Sequence, residues 1–411
     1  MKKFFGFKKN TGPIALVSRS DLFPTNHGAA VKIVFTAKGI SYYQDTMIIT
    51  QSNDCYYQFH QGLITKSEYP FFIGWAFYIP QKFLRKIIEK KGIPMLESWL
   101  YTPKIDLNFK VRVLYLALKY QISALQPEFP GYFDACFWAK HFLGIQTAMV
   151  EHNIEFDRLQ HQFQLTPAVY DLVKEWELTV CKNVDLIITV SEDDKQILVR
   201  HGAGGQKIKV IPHGVDLESF QVGGNEIAEI RNAYGVSAQE TLLIFHGVLA
   251  YGPNHQAVGI LRNEIWPRLK NKGYDIKFFI VGRYPPFEFG GENFIFTDAV
   301  DKLAPYIFAA DIAVVPLLAG GGTRLKILEY FAASIPVICT AKACEGIPVE
   351  SGRELIITDD YDQMVAEIIK MIDNKTWRKQ IGENGNRFVQ KLDWKKIGLE
   401  YFHLYQNIGS S

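Results

Sequence analysis

Ile312-Ala-Val-Val-Pro-Leu317, followed after two residues by Gly320-Gly-Gly-Thr-Arg-Leu-Lys-Ile-Leu-Glu-Tyr-Phe-Ala-Ala-Ser334, carries the strongest fold signal in the chain. An uncharged apolar run that ends in three glycines and turns into a helix is an anion-binding arrangement. The glycines let backbone approach closely, and the first helical N–H groups have no intrahelical partner. Arg324 and Lys326 fall in the first helical turn, where they can meet an anion held at that helix end. Glu329 lies six residues beyond Thr323, or about 9 Å at helical rise, which is the span from a diphosphate to the ribose of one nucleotide. The segment therefore predicts a nucleoside diphosphate laid along one helix. The plain alternative is a tight turn at residues 320–322 with Lys326 and Glu329 as a solvated pair at i and i+3. A Walker A loop and a Gly-x-Gly-x-x-Gly dinucleotide fingerprint are both absent from the segment.

On either side of this segment, short apolar runs rich in β-branched residues alternate with helical patterns, the signature of parallel sheets covered on both faces. In the first half the candidate strands are residues 14–18, 46–50, 133–137, 147–151, 186–190 and 208–211. In the second half they are 242–245, 276–281, 293–296, 312–315, 336–339 and 355–357. Two similar sets predict two α/β domains. The boundary follows Ile211-Pro-His-Gly-Val-Asp216, with a linker near residues 215–225. Residues 1–215 form the first expected domain and 216–393 the second, and the amphipathic segment 394–411 is free to pack back on the first.

A net charge of +2 over 411 residues, without long like-charge blocks, excludes nucleic acid as the main partner. Five cysteines, odd in number and without metal-ligand spacing, suggest neither a disulfide framework nor a zinc site and fit a reducing cytoplasm. No apolar stretch reads as a signal or a membrane span. Aromatic residues make up 14% of the chain and gather in Tyr69-Pro-Phe-Phe-Ile-Gly-Trp-Ala-Phe-Tyr-Ile-Pro80. The next segment, Gln81-Lys-Phe-Leu-Arg-Lys-Ile-Ile-Glu-Lys-Lys91, puts Phe83, Leu84, Ile87 and Ile88 on one helical face and most of its basic residues elsewhere. Residues 69–91 thus suit either an anionic membrane surface or an ordinary core helix behind an aromatic loop. The chain reads as soluble and cytoplasmic, with peripheral contact to the inner face of a membrane as the added expectation.

At this point the order of motifs resembles a known family. Phe245-His-Gly-Val-Leu-Ala-Tyr-Gly-Pro-Asn254, Phe279-Ile-Val-Gly-Arg283, Ala309-Ala-Asp-Ile-Ala-Val-Val-Pro316 and the glycine-helix segment together resemble the nucleotide-sugar domain of GT-B glycosyltransferases of the family-4 group. Val150-Glu-His-Asn-Ile-Glu155, Ile187-Ile-Thr-Val-Ser-Glu192 and Ile211-Pro-His-Gly-Val-Asp216 are similar to the acceptor-side elements of that group. The resemblance implies two Rossmann-like parallel-sheet domains facing across a cleft. It also implies a retaining transfer from a UDP- or GDP-linked sugar to a glycan or lipid-linked acceptor, with neither cofactor nor metal.

Residue by residue, the resemblance implies that Glu329, the second Glu of the family's Glu-x7-Glu motif, accepts hydrogen bonds from the ribose hydroxyls. Gly321 stands where the first Glu would be, so backbone of Gly321, Gly322, Thr323 and Leu325 is left to meet the donor. Val248 follows Gly247 where many members have Arg, and the nearby Lys is missing as well. Arg324 and Lys326 are the candidate replacements for those cations at the departing diphosphate. Gly28, in a glycine-bearing loop after the first strand, is expected beside the donor phosphate. His152, at a strand's carboxyl end, is expected near the donor sugar. Arg283 and backbone near Val300 fall in the family's base-binding region, and His27, Glu151 and Asn153 are acceptor candidates. Glu155, also beside His152, is a further base or acceptor candidate. An epimerase or phosphorylase on the same fold is the nearest rival. The missing Glu and Arg leave a non-catalytic nucleotide-sugar sensor or membrane-associated scaffold as the rival from another class.

Overall fold

The computed structural model describes residues 12–25, 28–291, 293–320 and 324–408. The chain divides into two compact units, Met1–His213 with Trp394–Ser411 and Gly214–Asp393. The first unit is built on β1 (Ile14–Ser18), β2 (Thr46–Thr50), β3 (Cys55–His60), β4 (Leu63–Glu68), β5 (Ala124–Pro127), β6 (Gln146–Glu151), β7 (Leu186–Thr189) and β8 (Ile208–Val210). Their order in one sheet is β4-β3-β2-β1-β5-β6-β7-β8, with β1 parallel to both β2 and β5. Every residue of β1 and β2 is buried, which is why these strands read as continuous apolar runs instead of alternating ones.

Two features of this sheet depart from the expectation. The hairpin β3–β4 is antiparallel and extends the parallel sheet at one edge. Its two-residue turn, Gln61-Gly62, takes left-handed φ at both positions, 48° and 79°, the geometry that matches the twist of paired strands. Residues 133–137 are helical, not a strand. They lie within the helix Pro130–Leu143, where Pro130 occupies the first turn, a position at which a missing N–H is harmless. The strand of that region is β5, whose Ala-Leu-Gln-Pro sequence lacks a β-branched signature.

The second unit holds β9 (Thr241–His246), β10 (Ile276–Val281), β11 (Phe294–Phe296), β12 (Ile312–Val315), β13 (Val337–Cys339) and β14 (Ile356–Ile357). They form one sheet in the order β11-β10-β9-β12-β13-β14, and all its pairings are parallel. In each sheet the strand order reverses once, between β1 and β5 in the first unit and between β9 and β12 in the second. In open parallel sheets, ligands bind beyond the carboxyl ends of the strands at such a reversal.

The helix Trp394–Ile408 packs along the helix Gly28–Ser41 in the first unit. Glycines let the two backbones touch, since a Cβ on Gly39 would stand 2.2 Å from the Trp394 carbonyl oxygen. All five cysteines are free and buried. Among the described residues, no helix is long and apolar enough to cross a membrane.

Candidate functional site

In the second unit the switch point gathers side chains from three segments. β12 leads through Pro316 toward Gly320 and the helix Leu325–Ala332, which begins at Arg324. Gly321, Gly322 and Thr323 lie outside the described residues. Gly320 has a left-handed φ of 113°, and a Cβ there would come within 2.8 Å of Arg324 Nη2 and 3.5 Å of the Tyr251 hydroxyl. The Arg324 guanidinium therefore curls over the start of the glycine run, and burial holds its pKa below the usual range.

Lys326, in the first turn of the same helix, points toward the loop after β9. Its ammonium donates to Asn254 Oδ1 at 2.8 Å and sits 4.0 Å from the centre of the Phe245 ring. A Cβ on Gly247 would lie 3.3 Å from Lys326 Nζ and 2.8 Å from Asn254 Nδ2, so only glycine leaves room for this arrangement. Asn254 is itself fixed, donating from Nδ2 to the Val248 carbonyl at 2.9 Å. Burial, followed by the nearby Arg324 charge, pulls Lys326 down to about 7, with Glu329 acting in the opposite direction.

Glu329 lies one turn further along the helix, with its side chain 25% exposed. His246, the last residue of β9, orients it. The Tyr330 hydroxyl accepts from the His246 backbone N–H at 3.1 Å and meets His246 Nδ1 at 2.8 Å, while the Glu329 carboxylate can only accept. Nε2 then carries the ring proton and donates to Glu329 Oε2 at 2.8 Å. The carboxylate keeps a second oxygen for two neighbouring hydroxyls. Arg283 joins this edge through its carbonyl, which accepts from Leu249 N at 2.9 Å. Val300 is half-buried in the loop after β11. The fold thus brings Gly247, Arg324, Leu325, Lys326 and Glu329 together. His246, Asn254, Tyr251 and Tyr330 belong to the same site, although they carry no separable sequence signal beyond their place in the resembling motifs.

In the first unit Gly28 opens the helix after β1, and His27 lies outside the described residues. His152 follows β6 at its carboxyl end and is almost fully buried, its ring stacked on Phe129 with centroids 4.2 Å apart. Its Nε2 meets Glu128 Oε2 at 2.7 Å. Asn153 is half-buried. Glu151 is the last residue of β6, a strand buried along Thr147–Glu151. It is fully buried, 4.0 Å from Cys181 Sγ, and burial with the nearby Glu177 pushes its carboxyl far up. Glu155 is spoken for by Arg158. Among the described residues, no group of three or more His, Cys, Asp or Glu side chains could hold a metal ion.

Two α/β units, each built on a largely parallel sheet with one switch point, are the components of a GT-B fold. Residues 76–219 match the family described as Glycosyltransferase Family 4, and residues 240–374 match Glycosyl transferases group 1. The chain belongs to these GT-B glycosyltransferases of the family-4 group, enzymes that move a sugar from a nucleotide-sugar donor. It is 24% identical over 280 residues to an uncharacterised glycosyltransferase of Methanocaldococcus jannaschii, covering 63% of this chain and 67% of that protein. Two further curated relatives, a D-inositol 3-phosphate glycosyltransferase of Nocardiopsis dassonvillei and an MMP alpha-(1->4)-mannosyltransferase of Mycolicibacterium hassiacum, are matched over 55% and 64% of their own length at 25% and 23% identity. Sucrose-phosphate synthase from Thermosynechococcus elongatus has the same fold over 97% of this chain and 99% of its own, with a TM-score of 0.72 and 17% identity. Anabaena HepE in complex with UDP-glucose matches over 96% and 99% with a TM-score of 0.67 and 14% identity.

Proposed function

We propose that the second unit binds a UDP- or GDP-linked sugar and that the enzyme transfers the sugar, with retention and without metal or cofactor, to a glycan or lipid-linked acceptor. The observation that carries this reading is the position of Lys326. The resemblance expects cations in the loop after Gly247, where this chain has Val-Leu-Ala-Tyr, yet the Lys326 ammonium stands at that glycine from the opposite helix. A departing nucleoside diphosphate gathers negative charge, and a fixed donor aimed at it contributes about 10²–10³ in rate. Arg324 supplies a second cation at the helix start. Glu329, held by His246, takes the ribose hydroxyls, while Leu325 and Gly28 offer backbone to the diphosphate. Arg283 and Val300 face the base, and His152 meets the donor sugar. The HepE complex makes UDP the first base to try.

The test is a panel of nucleotide sugars read by thermal stabilisation, since a ligand at a hundredfold its dissociation constant adds about 2.7 kcal/mol. One base and sugar should stand out, and that donor should lose its sugar to an added acceptor without being epimerised or phosphorolysed. Stabilisation by no nucleotide sugar at all would sink the reading.

The acceptor side includes residues 69–91. Phe71, Phe72 and Phe77 are each 69% or more exposed, and Phe83 and Ile87 are about half exposed, whereas Leu84 and Ile88 of the same helix are buried. The single apolar face expected of this helix is therefore split into a core pair and an outward pair. The aromatic loop is not loosely placed. Asn108 Nδ2 donates to the Ile73, Gly74 and Ala76 carbonyls at 3.2, 3.0 and 2.8 Å, and Asn108 is in turn held by buried Arg112 at 2.8 Å. Rigidly displayed aromatics beside exposed Lys82, Arg85, Lys86, Lys90 and Lys91 support an anionic membrane surface as partner. Basic residues near such a surface contribute about 1 kcal/mol each. Charge reversal at Lys82, Arg85 and Lys86 should therefore release the protein from phosphatidylglycerol vesicles. Co-sedimentation unaffected by the reversal would remove the membrane from the reading.

A further inference from the structure

The carboxyl end of β5, at the first unit's switch point, holds a carboxylate to which the donor chemistry gives no task. Glu128 is fully buried. One of its oxygens meets His152 Nε2 at 2.7 Å and the other accepts from Gln126 Nε2 at 2.6 Å. Gln126 is oriented by the Tyr405 hydroxyl, from the helix Trp394–Ile408. Lys32 faces Glu128 electrostatically, and its ammonium donates to the Tyr401 hydroxyl at 3.1 Å. The next residue, Phe129, lies at φ 82° and ψ 151°, a conformation that strains a side-chain-bearing residue and persists only where the surroundings enforce it. Backbone bonds from Glu128 N to Val17 O at 2.9 Å and from Phe129 N to Val150 O at 3.0 Å enforce it here. The consequence is a Phe129 ring lying flat on the His152 imidazole, 18° from parallel. The ring is thus fixed on its face by Phe129 and at one nitrogen by Glu128.

We infer that Glu128 is a positioning residue for His152. Its carboxylate takes the hydrogen bond of the Nε2 proton, so that in the neutral ring Nδ1 is left as the acceptor for a hydroxyl of the donor sugar. The inference rests on the reading that His152 meets that sugar. Glu128 touches no substrate and acts only through the imidazole, and Gln126 and Lys32 link its placement to the C-terminal helix.

The experiment is a double-mutant cycle in the full-length enzyme with Glu128→Gln, His152→Ala and the double variant, read by transfer kinetics. His152→Ala should lower kcat with a smaller change in donor KM, and Glu128→Gln should lower kcat by about tenfold or more. The double variant should be no slower than His152→Ala alone, because residues acting through one group do not add. Losses that multiply in the double variant would overturn the assignment by making Glu128 independent of His152. So would a Glu128→Gln enzyme with unchanged kcat while His152→Ala is impaired. An unimpaired His152→Ala enzyme would instead overturn the underlying reading of His152. Should Glu128→Gln fail to fold, the nitrogen-15 shifts of His152 in the unmodified protein decide the matter. A proton on Nε2 supports the inference, and a proton on Nδ1 of the neutral ring overturns it.

Discussion

The two units set the same three kinds of side chain at their switch points and use them in opposite ways. Lys32, Glu128 and His152 stand in the first, and Lys326, Glu329 and His246 in the second. The histidine–carboxylate contacts are nearly equal, 2.7 and 2.8 Å. Exposure differs, since the Glu128 side chain is 1% accessible and that of Glu329 is 25%. In the first unit the carboxylate has both oxygens occupied and can only serve the imidazole. In the second the imidazole has both nitrogens occupied and can only serve the carboxylate. The lysines differ in the same sense. Lys32 is sealed under Tyr401 of the C-terminal helix and lowered to about 8 by burial, against the pull of Glu128. Lys326 is half-buried and lowered to about 7. What each charged group can do is set by which of its atoms stays open.

The largest effects should separate the two lysines. Lys326→Met is expected to lower turnover by about 10²–10³ while leaving the melting temperature unchanged or higher, because a poorly paired cation has left a desolvated position. Lys32→Met is expected to do its damage in stability. It leaves the buried Tyr401 hydroxyl without its donor and takes a favourable charge from Glu128, and leaving a buried polar group unsatisfied costs about 1–3 kcal/mol, which urea unfolding of the first unit would report. If Lys326→Met unfolded as readily as Lys32→Met while transfer survived, the contrast between an open and a sealed lysine would be broken.

A smaller effect sharpens the carboxylate half of the comparison. Glu329→Ala should weaken nucleoside diphosphate binding by about 1.5–3 kcal/mol, the range for hydrogen bonds to a charged group, as measured by calorimetry. His246→Phe removes only the group that aims Glu329, so its loss should be smaller and should vanish in the Glu329→Ala background. An unchanged dissociation constant in Glu329→Ala would mean that this carboxylate is a surface pair with the ring and not a ribose contact.

How much of this was legible in the sequence depends on whether the partners are neighbours along the chain. Gly320, Arg324, Lys326 and Glu329 lie within ten residues, and helical spacing alone brings them to one end and one face. Asn254 and His246 meet that helix across 72 and 83 residues, and no local pattern encodes such a meeting. The parallel sheets were legible where strands are apolar and fully buried, as in β1 and β12. They were illegible at β5, where Gln126 and Pro127 mask the strand, and an apolar run as short as 133–137 suits helix and strand equally. With β5 hidden, Glu128 has no visible reason to stand beside His152. Glu151 shows the limit of reading residue type alone. It sits next to His152 in the sequence, yet it lies near Cys181 and Glu177 while His152 lies against Phe129 and Glu128.

The smallest expected effect tests the open state of Lys326 directly. Its pKa, brought from an ordinary value of 10.5 to about 7 by burial and by Arg324, means that the free site loses its ammonium charge as pH rises through neutrality. A bound diphosphate favours the protonated form and raises the pKa again, so above pH 7 binding must take up a proton. Affinity should then be nearly flat below pH 7, apart from protonation of the phosphate itself. It should fall by up to about tenfold per pH unit above that, in accord with linkage, until the raised pKa is passed. Arg324, Glu329, His246 and Tyr251 surround the group, and the Lys326→Met variant separates its proton from theirs. Calorimetry at pH 8 in two buffers of different ionisation enthalpy should show net proton uptake in the unmodified enzyme and none in Lys326→Met. The corresponding Lys32→Met variant should keep the uptake, since Lys32 is closed off by Tyr401. Affinity independent of pH between 7 and 9, with no proton uptake, would place Lys326 beyond the reach of the diphosphate and leave Arg324 as the cation there.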